Sequence, residues 1–506
     1  MHMTARVLSA ATVGFDGKLI EVECDAAKGL PALQIVGLTG KAIDEARDRV
    51  RSAINNSHLD FPARKVTVNL APASLPKDGS QFDLPIALAI LTMSGQLRQK
   101  VVDSVICAGE LSLSGELRPI RGVVHLAETA REHGIETVIV PRENAPQAAL
   151  VKDVTVIGAH TLGEVFLHLV GEKKILPTTV DIKTTPIAIS PVDISDIQGQ
   201  EQAKRALIIA AAGNHNILFD GPPGAGKTML ARALTSILPR LTYNEQIEIT
   251  KLLSLTGEDV DGIATMRPFR SPHHTSSHVA LIGGGARPLP GEVSLAHNGV
   301  LFLDELPEYP RISLEALRQP LEDRQVHVSR AAGRVTYPAN FMLVATKNPC
   351  PCGYHGDATR ECSCTQQVLL QYQKRVSGPL LDRIDMVITV SRVNEKDLLA
   401  QTNVTAKSPE IREQVTAARD RQHARYGTEI HNAELPSKQI AQKTLLSQEA
   451  KDLLTSAAER MQLSARSYFK VIKVARTIAD LAESNEITAP HLAEALQYRF
   501  NPTLTR

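Results

Sequence analysis

Residues 221–228 read Gly221-Pro222-Pro223-Gly224-Ala225-Gly226-Lys227-Thr228 and fit the pattern G-x-x-x-x-G-K-[ST]. In loops of this pattern the backbone N–H groups cradle the phosphates of a nucleotide. The pattern assigns Lys227 to the β- and γ-phosphates and the Thr228 hydroxyl to Mg²⁺. Residues 216–220 predict a short apolar strand before the loop, and Met229 continues a helix after it, whose positive dipole end would face the phosphates. The sequence therefore predicts a strand–loop–helix unit that binds ATP and Mg²⁺.

Length and composition limit the number of domains and the classes of partner that the chain can have. The 506-residue chain is long enough for about three domains. It has no apolar run near the roughly 18 residues of a membrane span and no secretory signal, so we expect a soluble, cytoplasmic protein without membrane contacts. Because the formal net charge is +1, any nucleic-acid surface must be local. The absence of tryptophan argues against the base-stacking platform of a single-strand binder.

Residues 1–170 alternate strand-like runs with helical periods, which predicts a mixed α/β domain. The strand-like runs are residues 19–24, 33–36, 65–70 and 137–140, and the helical periods cover residues 42–54 and 82–93. Residues 76–79 and 108–122 resemble the proteolytic domain of Lon protease. In that resemblance Gln81 stands for the nucleophilic serine and Val124 for the lysine, so neither half of a serine–lysine dyad is present. The resemblance implies a Lon-type fold without peptidase activity, used for binding or assembly.

Three further segments follow the Lon-like domain. Residues 171–192 lack periodicity and carry several prolines, which predicts a linker. Residues 193–392 contain the strand–loop–helix unit and two more apolar runs, which predicts a second α/β domain. Residues 393–506 are predominantly helical in pattern, with helices expected at 410–425, 448–461, 465–483 and 489–499.

Polar side chains follow the two other apolar runs of the second domain. Residues 299–303 lead into Asp304 and Glu305. A buried strand ending there would hold Asp304 at the carboxyl edge of a sheet, where it can orient Mg²⁺, and Glu305 would act as general base on the attacking water. The alternative is a pair of acids that merely stabilises a helix N-terminus. Residues 341–346 lead into Asn348, a candidate for hydrogen bonding to the γ-phosphate or to that water.

Arg383 is a second candidate for contact with a γ-phosphate. It stands between Asp382 and Asp385 after an apolar turn. A guanidinium that reaches the γ-phosphate bound to a neighbouring subunit would stabilise charge in the transition state. The alternative is an ion pair with Asp382 or Asp385 inside one chain.

Two stretches without any Asp or Glu are candidate DNA contacts. The first is residues 324–356, and its first half, residues 325–337, alternates around positions 331–333, which predicts a hairpin with Arg330 and Arg334 on either side of its tip. Residues 262–291 are predicted to form another hairpin that carries Arg270, His273 and His274. Both would contact phosphates without reading sequence. Alternatively, they are ordinary exposed hairpins with solvated arginines.

Four of the six cysteines lie close together in the chain, at Cys350, Cys352, Cys362 and Cys364. Four thiolates satisfy the tetrahedral geometry of Zn²⁺, although this C-x-C spacing is tighter than the usual two to four intervening residues. Structural zinc and reduced, unliganded thiols both stay open. A shared metal at His273 and His274 is disfavoured, because adjacent residues of a strand point to opposite faces.

Three longer stretches carry a specific resemblance. Residues 267–275 (RPFRSPHHT), 348–353 (NPCPCG) and 377–385 (SGPLLDRID) are similar to the Mg-chelatase-like AAA+ ATPases, and within that family to the ComM (YifB) branch. The resemblance covers nearly the whole chain. It implies an AAA+ P-loop ATPase core with a C-terminal helical lid. It also places Ile197 on the adenine and assigns Arg466 as a second γ-phosphate sensor.

The same resemblance implies a function. It indicates a homo-hexameric ATPase that moves branched DNA, single- or double-stranded, through a ring channel and drives branch migration during natural transformation. The alternatives are an ATP-driven metal-insertion motor of the Mg-chelatase type and a Lon-like ATP-dependent protease, which Gln81 and Val124 argue against. One departure from the family pattern is Thr346-Lys347, in place of Ala-Met, before Asn348. We expect Lys347 to add a cation beside the site.

Overall fold

The computed structural model describes residues 4–37, 42–75, 77, 79–180, 192–258, 263–285, 288–330, 333–357, 360–392 and 407–499, with only the backbone of residues 42–44, 329, 330, 333 and 334. Several predicted features therefore fall partly outside the described residues: the centre of the linker, the tip of the 325–337 hairpin and the start of the C-terminal helical region. Among the described helices, none combines the length and the apolar character needed to cross a bilayer.

The N-terminal domain contains one large mixed sheet and a small hairpin beside it. Its strands are β1 (Ala5–Val13), β2 (Asp16–Ala27), β3 (Ala32–Val36), β4 (Lys65–Ala71), β5 (Val105–Cys107), β6 (Glu110–Leu111), β7 (Leu117–Arg118), β8 (Thr137–Pro141) and β9 (Thr155–Ala159). The large sheet has the order β3-β4-β2-β1-β5-β8-β9. Its helices are α1 (Ala42–Asn56), α2 (Asp83–Met93), α3 (Gln99–Val102), α4 (Val123–Glu132), α5 (Ala145–Ala148) and α6 (Leu162–Val170). The predicted mixed α/β character of this region is confirmed.

Helix α2 is the centre of the N-terminal core. Every residue from Asp83 to Met93 is buried, as expected of a helix that is apolar on nearly all sides. The charged exception is Asp83, whose carboxylate accepts hydrogen bonds from Arg49 Nε at 2.7 Å and from the backbone N–H of Leu111 at 3.2 Å. Burial raises the pKa of Asp83 to about 6, although Arg49 opposes the shift. The pair joins α1 to α2.

The positions that correspond to the Lon dyad carry packed structural side chains. Gln81 Nε2 donates to the carbonyl of Ala10 at 3.2 Å. Val124 is fully buried on α4. The neighbouring Ser80 hydroxyl donates to the Glu110 carboxylate, which cannot serve it as the amine of a serine–lysine dyad does.

The central domain is built on a five-stranded sheet in which all neighbouring strands are parallel. Its strands are β10 (Ile217–Asp220), β11 (Phe269–Arg270), β14 (Val300–Leu303), β17 (Met342–Lys347) and β18 (Met386–Thr389), in the order β11-β14-β17-β10-β18. Two small hairpins pair β12 (Gly283–Gly284) with β13 (Leu289–Pro290) and β15 (Gln325–Arg330) with β16 (Gly333–Pro338). The helices are α7 (Glu201–Gly213), α8 (Lys227–Ile237), α9 (Tyr243–Thr256), α10 (His278–Ile282), α11 (Glu292–Leu295), α12 (Arg311–Ala316), α13 (Arg318–Asp323), α14 (Gln366–Gln373) and α15 (Gly378–Leu381). The parallel sheet and the hairpin at 325–337 agree with the predictions.

The described part of the C-terminal region, residues 407–499, contains five helices: α16 (Ser408–Tyr426), α17 (Ser437–Lys443), α18 (Gln448–Arg460), α19 (Ala465–Leu481) and α20 (Ala489–Gln497). They share one hydrophobic cluster with α7, α8 and the central sheet. The guanidinium of Arg419 donates to the carbonyl of Ala211 at 3.0 Å and 2.6 Å, and the amide of Gln422 donates to the carbonyl of Ala212 at 3.0 Å. These bonds satisfy carbonyls that the last turn of α7 leaves free, so α16 is held by polar caps as well as by packing.

The turn between β1 and β2 docks the N-terminal domain onto the central domain. A Cβ built on Gly14 would lie 2.3 Å from Val335 Cγ1 of β16. Phe15 packs against the hydrophobic cluster of the central domain. The ammonium of Lys251 on α9 lies 4.0 Å from the Phe15 ring centroid and 2.6 Å from a carboxylate oxygen of Glu128 on α4. One short turn therefore contacts both α9 and the β15–β16 hairpin.

We expect Phe15→Ala to lower the free energy of unfolding by about 2 kcal/mol, because a half-buried aromatic ring and its cation–π contact are lost. The loss falls on the interface, so the N-terminal domain should unfold at a lower temperature than the rest of the chain in calorimetry. Phe61→Ala is the matched control, since Phe61 is also half-buried but packs only against the core of its own domain. Identical calorimetric profiles for the two variants would contradict the docking role.

Candidate nucleotide site

The phosphate loop joins β10 to α8, as predicted. Its glycines Gly224 and Gly226 have φ values of +79° and +83°, and α8 begins at Lys227. The Lys227 ammonium donates to Asn348 Oδ1 at 2.8 Å and to the carbonyl of Lys347 at 3.2 Å. The structure thus brings two sequence-predicted residues, Lys227 and Asn348, into direct contact across β10 and β17.

Lys227 is a buried cation in an acidic surrounding. Burial lowers the pKa of its ammonium below the ordinary value, and the charges of Asp220, Asp304 and Glu305 act in the opposite direction. A cation that is held by carbonyl oxygens and an amide oxygen has its three donors directed into the loop. It can therefore exchange these oxygens for phosphate oxygens without leaving its place.

The predicted Mg²⁺ ligands face each other. Thr228 Oγ1 lies 3.4 Å from Asp304 Oδ2, and the other oxygen of that carboxylate accepts from the Thr346 hydroxyl at 2.6 Å. A hydroxyl and a carboxylate oxygen, completed by waters and phosphate oxygens, form the kind of set that binds Mg²⁺. Thr346 restricts the rotation of the carboxylate and so keeps Oδ2 directed toward Thr228.

Glu305 occupies a backbone conformation that is rare for its residue type. Its φ is +52°, in the left-handed region that costs about 1 kcal/mol or more for a residue with a side chain. The backbone N–H of Glu305 donates to the same Thr346 hydroxyl at 2.9 Å. The Glu305 side chain is exposed at the carboxyl edge of the sheet, next to Asp304 and free to meet a water molecule.

Lys347 adds a cation at this edge of the sheet, and an acid of the neighbouring strand pairs with it. Its ammonium lies 3.0 Å from Asp220 Oδ2, the last residue of β10. The two residues are register partners in neighbouring parallel strands, and the pair is largely shielded from solvent. The departure from the family pattern is therefore balanced by an acid at the end of the adjacent strand.

Arg383 and Arg466 meet away from the phosphate loop. Arg383 Nη2 lies 2.7 Å from one carboxylate oxygen of Glu322, and Arg466 Nη2 lies 2.7 Å from the other. The alternative of an ion pair with Asp382 or Asp385 is wrong, because Glu322 takes that place. Asp385 instead pairs with Lys470 at 3.0 Å.

The two arginines line a cavity of about 400 Å³ with Asn216 and Asn340, which precede β10 and β17. They belong to the amino edge of the sheet, whereas the phosphate loop follows the carboxyl end of β10. Within one chain Arg466 is thus placed with Arg383 and not with the phosphate loop.

The remaining predicted nucleotide contacts lie in the phosphate loop or next to it. Ile197 is buried in the cluster below α7 and α8. Met229 is 43% exposed on the first turn of α8. Pro222 is half-buried and Pro223 exposed, while Gly221 and Ala225 are buried. The loop therefore offers its backbone outward and packs two of its small residues inward.

The segment at residues 262–291 contains the small β12–β13 hairpin, but the three predicted DNA contacts lie outside it. Arg270 lies on β11 at the edge of the main sheet and pairs with Glu258 at 2.7 Å and Glu292 at 2.9 Å. His273 and His274 follow the strand in a turn, with ring centroids 4.1 Å apart, so the expectation of opposite faces is wrong. Arg270 is therefore neutralised by two acids that lie just outside the acid-free stretch.

The hairpin of Arg330 and Arg334 does form, with Arg330 opposite Gly333 and Ser329 opposite Arg334 in its register. Its apolar side chains Val328, Val335 and Tyr337 are buried. The backbone register places both arginines at the tip end, while the root packs into the central domain.

The four cysteine sulfurs of residues 350, 352, 362 and 364 lie within 4.8 Å of one another. The pKa of Cys352 is lowered to about 5, chiefly because the backbone N–H of Tyr354 donates to its sulfur. Four thiols in this geometry are the kind of set that can hold a metal ion.

The sequence matches three family models and several known proteins. The family model described as magnesium chelatase, subunit ChlI, matches residues 193–398. A second model, described as subunit ChlI of Mg-chelatase, matches residues 22–144. A third, described as magnesium chelatase, subunit ChlI C-terminal, matches residues 405–499. Competence protein ComM of Haemophilus influenzae is 44% identical over 499 residues, which cover 98% of this chain and 97% of ComM. The uncharacterized protein YifB of Escherichia coli is 44% identical over 497 residues, covering 97% of this chain and 96% of YifB. Lon protease of Mycolicibacterium smegmatis is 29% identical over 142 residues, covering 27% of this chain and 18% of Lon.

The role of Thr346 in this site was not predicted from the sequence. It can be tested by substitution. We expect Thr346→Val to lower Mg²⁺-dependent ATP turnover by about 10- to 100-fold, the usual effect of removing a group that orients a metal ligand. The variant keeps the β-branched shape but loses the hydroxyl that bonds Asp304 and Glu305. The Mg²⁺ concentration for half-maximal turnover should rise as well.

Thr346→Ser is the matched control for this experiment, because it keeps the hydroxyl and removes only a methyl group. Turnover in Thr346→Ser should stay near that of the wild type. Equal losses in the serine and valine variants would mean that packing, and not the hydroxyl, matters at this position.

Proposed function

The chain belongs to the Mg-chelatase-like AAA+ ATPase family, in the branch of ComM and YifB, and on this basis we propose that it is an ATP-dependent DNA translocase. It would drive branch migration of recombination intermediates in the cytoplasm, during natural transformation. The observation that supports the motor activity is the single constellation of Lys227, Thr228, Asp304, Glu305 and Asn348 at the carboxyl edge of the sheet. The relative named for competence supports the DNA-related role.

We assign the chemistry as follows. The backbone of residues 221–229 binds the phosphates of ATP, and Ile197 packs near the adenine. Thr228 and Asp304 hold Mg²⁺, Glu305 polarises the attacking water, and Asn348 positions that water or the γ-phosphate. Each assignment uses a group that already lies at the same edge of the sheet.

Arg383 and Arg466 would complete the site of a neighbouring subunit. They lie at the amino edge of the sheet, so they cannot reach the phosphate loop of their own chain without rearrangement. A head-to-tail ring brings the amino edge of one subunit to the carboxyl edge of the next. In a homo-hexamer, every nucleotide would thus be bound by one subunit and sensed by its neighbour.

DNA would pass through the channel of this ring. The tip of the β15–β16 hairpin, with Arg330 and Arg334, supplies positive charge that can follow phosphates of single- or double-stranded DNA without reading sequence. His273 and His274 are secondary candidates. Arg270 is not retained, because Glu258 and Glu292 already neutralise it.

The domain division that we propose keeps a Lon-like domain at 1–170, a linker at 171–192, an ATPase domain at 193–392 and a helical lid at 393–506. The proposed cofactors are ATP and Mg²⁺, with structural Zn²⁺ in the cysteine cluster. The second candidate function, a metal-insertion motor, is favoured by the family models named for Mg-chelatase. Both candidates share the ATPase chemistry and differ in what stimulates it.

We expect four-way or forked DNA to raise ATP turnover several-fold, and a porphyrin or an unfolded protein to leave it unchanged. Stimulation should weaken steeply as salt rises from about 50 to 200 mM, because phosphate contacts release counterions. The control is Glu305→Gln, which should bind ATP and DNA but hydrolyse little, since the general base is lost. Turnover that does not respond to branched DNA, together with no DNA binding at low salt, would contradict the translocase.

The composite site gives a separate prediction. Arg383→Ala should lower turnover by about 10³-fold or more, as expected for loss of an arginine finger. Mixed with Lys227→Ala subunits, it should regain activity, because about a quarter of the interfaces in a randomly mixed ring combine an intact loop with an intact arginine.

Arg421→Ala is the control for the mixing experiment, because Arg421 forms an exposed ion pair with Glu483 on the C-terminal helices. It should have near-normal turnover alone. If mixed rings form but no activity returns, Arg383 acts inside its own chain.

A further inference from the structure

The cysteine cluster lies between two parts of the nucleotide site. Cys350 follows Asn348 by two residues, at the end of β17, and is buried. Its sulfur lies 3.3 Å from that of Cys352 and 3.7 Å from that of Cys362, and the sulfurs of Cys352 and Cys362 are 3.6 Å apart. The four thiols are not joined by disulfides. The residue that contacts Lys227 is thus anchored next to the cluster.

These distances fit one metal ion. A tetrahedral Zn²⁺ with Zn–S bonds of about 2.3 Å requires sulfurs about 3.8 Å apart. The backbone N–H of His355 donates to the Cys350 sulfur at 3.3 Å, and such bonds to sulfur favour the thiolate form that a metal needs.

The loop of the cluster rests directly on the phosphate loop. Gly353 has a φ of +85°, and a Cβ built on it would lie 2.6 Å from Pro223 Cδ. No side chain fits between the two loops at this point. The position of Pro223, and with it the start of the phosphate loop, therefore depends on where residues 350–353 are held.

In the described parts of this loop, residues 350–357 and 360–364, the contacts beside the cluster involve few side chains. Its one large ring, Tyr354, is half-exposed and lies beneath two guanidinium groups, with Arg360 Cζ at 4.1 Å and Arg392 Cζ at 5.5 Å from the ring centroid. Arg392 also lies 3.7 Å from Asp357. Partly exposed contacts such as those of the Tyr354 ring contribute about 1 kcal/mol each, whereas a structural zinc ion contributes enough to fold a small segment outright.

We propose that Zn²⁺ bound by Cys350, Cys352, Cys362 and Cys364 is a clamp that holds Asn348 and Pro223 in register around Lys227, so that metal occupancy controls ATP binding and turnover. The inference rests on the proposed ATPase function and adds a regulator to the same site. Loss of the metal frees the four thiols, relaxes residues 350–357 and uncouples β17 from the phosphate loop.

The test compares two cysteine variants of the full chain. Cys362→Ser removes one metal ligand, whereas Cys364→His replaces a ligand by another that Zn²⁺ accepts. Cys24→Ala removes a buried thiol from the N-terminal domain and controls for thiol loss alone. The readouts are zinc content by elemental analysis, affinity for a fluorescent ATP analogue, and ATP turnover.

We expect about one zinc ion per chain in the wild type, in Cys24→Ala and in Cys364→His. Cys362→Ser should lose the metal and bind the ATP analogue about tenfold more weakly or worse. If Cys362→Ser fails to fold, a zinc-selective chelator applied to the wild type should produce the same loss of affinity, and added Zn²⁺ should restore it.

Two results would overturn the clamp: wild-type protein without stoichiometric zinc, or zinc-free protein that keeps its nucleotide affinity. Because nucleotide affinity is read without DNA, failure of the clamp is distinguishable from failure of the translocase. The translocase fails when branched DNA leaves turnover unchanged in protein that carries zinc and binds ATP.

Discussion

The parallel register of β10, β14 and β17 is the constraint on which the candidate site depends. The register pairs Asp220 with Lys347 and Leu303 with Ala345, so Asp304 comes to lie beside Thr346. Each contact of the site follows from this alignment: the Thr346 hydroxyl bridges to Asp304 and Glu305, and Lys347 neutralises Asp220. A slip of one residue would turn Thr346 to the other face of the sheet and leave the Asp304 carboxylate without its partner.

The local half of this arrangement could be predicted from the sequence, and the cross-strand half could not. A local pattern of a few residues is enough to predict the phosphate loop, the strand before Asp304 and the strand before Asn348. Thr346 looks like any β-branched residue of a strand, and its role appears only when β14 lies beside it. The ion pair of Lys347 could not be predicted, because its partner, Asp220, is 127 positions away in the chain.

The ion pairs of Arg383 and Arg466 with Glu322 could not be predicted either, because the residues are far apart in the chain. Arg383 and Arg466 were identified one by one, and neither neighbourhood in the sequence points to Glu322. Their shared carboxylate holds two guanidinium groups that would otherwise repel each other at the amino edge of the sheet. A γ-phosphate offers both guanidinium groups the same kind of acceptor. Glu322 therefore stands where a phosphate from a neighbouring subunit would compete for the two arginines.

In the N-terminal domain, the two positions that correspond to the Lon dyad in the sequence resemblance carry other side chains. Val124, at the position of the lysine, is fully buried in a hydrophobic cluster of α4 that continues into Ile247 of α9. An ammonium here would be taken out of water without a partner, at a cost of several kcal/mol. The next residue, His125, is buried with its pKa lowered to about 3 by burial and by Lys251, and its ring meets Phe15 edge to face. The face that would carry a catalytic amine thus packs against the helix that follows α8, so a functional dyad and this interdomain contact exclude each other.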